Sequence, residues 1–159
     1  MSLIGDVLLY LLTGLLHWWW TANLSVFGVA PNFIFTAALA SAIIAGPVKA
    51  VTICFFLGIY LDLLGSNLFG AYALIYTIMA YGVHLLKRHI DLISAFSQIV
   101  SALILTFATM IFYQALSLAL AKINPLQLKS FLVEPFLNAL IAPIVFYFFS
   151  QLKRRFNLL

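Results

Sequence analysis

The spacing of its apolar runs constrains this chain more than any other feature. Six of them, roughly residues 3–21, 32–45, 48–64, 69–86, 92–121 and 131–152, follow one another with only short breaks. A helix rises 1.5 Å per residue, so about 20 apolar residues cross the hydrocarbon of a bilayer. Composition agrees: the chain is 65% hydrophobic and 8% charged, whereas a soluble domain is about 45–50% apolar and about 25% charged. The mean hydropathy is +1.16. The excess runs through the whole length and leaves no room for a separate soluble domain. The expected fold is an all-α integral membrane protein, one domain over 1–159, with six transmembrane helices in a compact bundle.

Several function classes lose their footing here. The net charge of +4 reports orientation in the membrane first, not affinity for nucleic acid. The single cysteine, Cys54, excludes an intrachain disulfide and a CxxC metal pattern. His17, His84 and His89 share no spacing that would place them on one metal, and the four acidic residues are scattered. No His-Glu-x-x-His, phosphate-binding loop, dinucleotide fingerprint or nucleophile elbow occurs. No enzyme, metal or cofactor is expected. The N-terminal run lacks a basic n-region, carries Asp6 and ends in Trp18-Trp19-Trp20, so it reads as a span with an interfacial aromatic belt and not as a cleavable signal.

Charge then sets the topology. With a cytoplasmic N-terminus, six spans place Lys49, Lys87, Arg88, Lys153, Arg154 and Arg155 inside and only Lys122 and Lys129 outside. That is the bias of the positive-inside rule. The expectation is a multi-pass protein of the bacterial inner membrane with both termini cytoplasmic. Lys87-Arg88 and the C-terminal cluster then meet anionic lipid, or an acidic partner.

The most informative stretch is GPVKAVTICFFLGIYLDLLGSNLFG, from Gly46 to Gly70. Gly46-Pro47 breaks one helix and starts the next. Asp62 sits near the far end of an otherwise apolar run, where a carboxylate needs a compensating partner. Gly58 lies one turn before it on the same face, inviting close approach by a helix that carries a donor. Two readings stay open: Asp62 seats a partner protein, or it caps the following turn through backbone N–H groups. A turn is expected at Gly65-Ser66-Asn67, before Gly70.

Before the break, Ala38, Ala42 and Gly46 recur at four-residue spacing, a face that lets helix backbones approach closely. It suits packing against the third helix or docking of a partner. Glu134-Pro135 reads as the opening of the last helix, with Glu134 favoured there by the macrodipole. The partner-contact candidates are therefore Asp62, Gly58, Gly70, Ala38, Ala42, Gly46 and Glu134, together with the outer connections around Asn67 and Lys122–Lys129.

The segment Pro31–Gly82 resembles MreD, the integral membrane component of the bacterial rod-shape machinery. Pro31-Asn32, the Gly46-Pro47 break, Gly58-Ile59-Tyr60-Leu61-Asp62, Gly65-Ser66, Leu68-Phe69-Gly70 and Tyr81-Gly82 carry the resemblance in order. It implies a non-enzymatic partner of MreC, acting with MreB, RodA and a penicillin-binding transpeptidase in lateral wall synthesis. It also implies a fold similar to the six-helix membrane subunit of energy-coupling-factor vitamin transporters. The alternative is such a carrier itself, binding a small molecule through Gln98, Tyr113, Gln114, Glu134 and Asn138. Against it, the first helix lacks the small-x-x-x-small pattern those carriers present.

Overall fold

The computed structural model describes residues 3–25, 28–65, 68–122 and 127–156, with side chains left out at 3–8, 153, 155 and 156. Six helices occur among them: α1 Leu3–Asn23, α2 Phe33–Ile44, α3 Pro47–Leu63, α4 Ala71–Leu86, α5 Ala95–Ala119 and α6 Leu128–Phe156. Every predicted run is a helix. The expected turn residues Ser66 and Asn67, and 123–126 of the connection before α6, lie outside the described residues.

The shortest helix is the centre. α2 packs against α1, α3, α4, α5 and α6, and Phe33 through Ile43 are all buried. Its small residues do what the spacing suggested, but for its own chain: Ala37, Ala38, Ala40 and Ser41 are fully enclosed. Twelve residues span only about 18 Å, well short of a bilayer's hydrocarbon. A helix that ends inside protein must still satisfy its free terminal N–H and C=O groups, and three side chains do so. Asn32 is the N-cap, its side chain accepting from the Phe35 N–H at 2.9 Å. Asn138 of α6 accepts from the Asn32 backbone N–H at 2.7 Å. At the other end, Lys87 donates its Nζ to the Ala42 and Ala45 carbonyls, each at 3.3 Å. Lys87 thus sits inward on a helix C-terminus, a correction to its reading with Arg88 as a lipid-facing cation.

Two boundaries differ from expectation for local reasons. α5 begins at Ala95 and not near Leu92. Asp91 accepts from the Ile93 N–H, and Ser94 caps the helix by accepting from the Ser97 N–H. α6 begins at Leu128, so Glu134-Pro135 does not open it; Pro135 lies inside the helix. There it removes the bond that the Phe131 carbonyl would receive, a loss that membrane helices absorb through neighbouring groups.

The outside of the bundle is apolar. Phe96, Leu140 and Ile144 are 77%, 73% and 68% exposed. α5 over Ala95–Ala119 and α6 over Leu128–Leu152 are long and apolar enough to cross a membrane, and most of each faces outward.

Candidate functional site

Asp62 and Glu134 mark one end of the bundle; Lys87 marks the other. Asp62 is 4% exposed and accepts backbone N–H groups across the α3–α4 junction. Oδ2 takes Gly70 at 3.0 Å and Ala73 at 3.1 Å, and Oδ1 takes Tyr72 at 3.2 Å. A carboxylate on the first N–H groups of a helix meets both its unpaired donors and the positive end of its dipole. Gly70 completes the cap with a left-handed φ of 89°, a conformation glycine adopts without strain.

Gly58 makes this geometry accessible. A Cβ there would stand 2.4 Å from Ala73 Cα and 2.5 Å from the Tyr72 carbonyl oxygen. The close approach predicted from Gly58 to Asp62 therefore occurs within the chain, and the donors are the backbone amides of α4. Ala38 and Ala42 are enclosed in α2 and present no surface to a second protein, a correction to the docking reading of that face. Gly46 is exposed at the α2–α3 break.

Beside the Asp62 cap lies a cavity of about 520 Å³. His17 and Thr21 of α1 line it with Asn32, Tyr72 of α4, Tyr113 of α5, and Ser130 and Glu134 of α6. Every helix but α2 contributes a residue, and α2 gives its cap: Leu61 and Leu64 close the α3 side. Tyr72 and Tyr113 stack with ring centroids 4.8 Å apart and planes 18° apart. Glu134 accepts from the Ser130 hydroxyl at 3.2 Å, and the side chains of Asn32 and Asn138 lie within hydrogen-bonding reach of it. Asn138, fully buried, also donates to Thr106 Oγ1 at 3.3 Å.

Of the polar residues proposed from sequence for a small-molecule site, Tyr113 and Glu134 line this cavity and Asn138 stands behind them. Gln98 is at the opposite end, donating to the Ile93 carbonyl. Asn32, Tyr72 and His17 were missed as wall residues. Asn32 alone had a local signal, an Asn immediately before an apolar run. The three histidines stay apart, and among the described residues no cluster of His, Cys, Asp or Glu could hold a metal.

The class is an all-α bundle with two helices long and apolar enough to cross a bilayer and a polar cavity at one end. The chain belongs to the MreD family: the family model of rod shape-determining protein MreD matches residues 1–156. The resemblance carried by Pro31–Gly82 thus extends over nearly the whole chain, in a family of membrane proteins tied to rod-shape determination. No curated protein and no solved structure matches it, and the likeness to vitamin carriers stays an implication of the family resemblance.

Proposed function

We propose that this chain is a non-enzymatic scaffold of the bacterial elongation machinery. It docks MreC and, through the wider complex, holds MreB, RodA and a penicillin-binding transpeptidase to lateral peptidoglycan synthesis. On this reading all six helices cross the inner membrane, with both termini cytoplasmic. The match to the MreD family over residues 1–156 carries the proposal. The chemistry of the bundle supports it, because Asp62, Lys87 and Asn138 are engaged in closing helix ends.

With the small-residue face of α2 enclosed, a partner helix needs another seat. An apolar groove of about 340 Å³ runs between α4 and α5, lined by Ile78, Met79, Gly82, Leu105, Ala108 and Phe112. A Cβ on Gly82 would meet nothing within 4 Å. Gly82 and Ala108 offer the small residues that let a transmembrane helix come close, and we assign the groove to that of MreC. Photo-crosslinkers at Ile78 and Ala108, in cells producing both proteins, test this. Adducts to MreC from both positions and none from Ala38 are expected. Failure of the intact protein to co-purify with MreC sinks the proposal; co-purification without groove adducts moves the docking site elsewhere.

A further inference from the structure

Scaffolding does not account for the cavity beside the Asp62 cap. A structural plug would be filled by apolar side chains, yet this space is walled by His17, Thr21, Asn32, Ser130 and Glu134 and lies within the volume range of small-molecule sites. Its one carboxylate among the described lining residues, Glu134, has only neutral groups beside it: it accepts from the Ser130 hydroxyl, with the side chains of Asn32 and Asn138 nearby. A half-buried carboxylate facing a cavity with only neutral donors beside it is only partly compensated, and a cation completes it. Asp62 cannot serve the cavity in the same way, since its two oxygens hold three amides of α4.

The wall also suits a cation. The stacked rings of Tyr72 and Tyr113 supply aromatic surface on which a cation or its apolar stem rests. His17, another lining residue, has a buried Nδ1 without a hydrogen-bond partner.

We infer that this cavity binds an organic cation, a primary ammonium or guanidinium group held by Glu134 with its stem against Tyr72 and Tyr113. A soluble amine and the ammonium of a zwitterionic lipid headgroup share that chemistry. The inference is independent of MreC docking, so the full chain is tested without partners.

In the soluble arm, detergent-purified protein is titrated with agmatine and tyramine, and with N-acetyltyramine as the uncharged control. In the lipid arm, native mass spectrometry compares retention of phosphatidylethanolamine with that of phosphatidylglycerol. Saturable binding of an amine over its acetylated form assigns a soluble ligand; preferential retention of phosphatidylethanolamine assigns the headgroup. In either arm Glu134→Gln weakens binding about tenfold or more, the scale of a lost charge-assisted hydrogen bond. Tyr113→Leu weakens it less, and Asp91→Asn, outside the cavity, leaves it unchanged. The variants' melting curves establish that they fold. No cation preference in either arm, or equal binding by Glu134→Gln and Asp91→Asn, overturns the inference.

Discussion

At Gly58 the missing side chain and the carboxylate one turn later form a single device. The absent Cβ lets α3 lie against the Tyr72–Ala73 backbone, and only at that separation do the Asp62 oxygens reach Gly70, Tyr72 and Ala73. Asp62→Ala leaves three amides without that acceptor and should destabilise the protein by about 3 kcal/mol or more. Gly58→Ala forces the helices apart against backbone atoms, which cannot rotate away, at about 1–3 kcal/mol. Because the second change also pulls the Asp62 contacts open, the double variant should lose less than the sum of the two, by about 1 kcal/mol or more. Equilibrium unfolding of the purified proteins measures this, and strict additivity would show that the residues act separately. A reader of the sequence sees a glycine, a turn of helix and a carboxylate, and correctly expects close approach with a donor. Whether the donor comes from another protein or from α4 is not written locally, since it depends on how α4 packs back against α3.

Among the elements, α2 inverts the usual relation between length and position. Its helical part is shorter than the hydrocarbon it is proposed to cross, yet it is the helix every other one touches, and its ends are closed by side chains from α6 and α4. Asn138→Leu removes the acceptor for the Asn32 N–H and the donor to Thr106 while keeping the volume similar. A loss of about 1–3 kcal/mol is expected, the range for orphaning a buried polar group. Hydrogen exchange localises the effect: amides of the first turn of α2 should exchange faster, while those of α3 near Cys54 stay protected. Uniform acceleration along the bundle would contradict a role confined to that helix end. The existence and order of all six helices were legible because apolar runs and the Gly46-Pro47 break are local signals. The start of α6 was not. Proline usually marks a first turn, but in apolar surroundings Pro135 is carried inside a helix whose earlier turns, from Leu128, read as connection. That one shift of register turns Glu134 from a helix cap into a cavity wall.

For the whole molecule, the distribution of charge decides which compartment the cavity serves. Lys87 closes α2 at the end opposite Asp62 and Glu134, and along their helices Lys49 and Arg154 lie toward that same end. On the proposed topology, with the positive-inside bias, the Lys87 end faces the cytoplasm and the cavity the outer face. Cysteine labelling tests the orientation with little background, because the native Cys54 is fully buried. An impermeant maleimide applied to intact spheroplasts should label cysteines at Thr21 and Gln127, both exposed at the cavity end. It should leave cysteines at Lys49 and Arg154 unlabelled until the membrane is opened. The reverse pattern would turn the cavity toward the cytoplasm, so that any cation reaching Glu134 came from cell metabolism and the outer leaflet could not supply it. Labelling at Lys49 but not at Arg154 would mean an odd number of crossings between them. That result would break the six-span arrangement while leaving the helix packing around α2 intact.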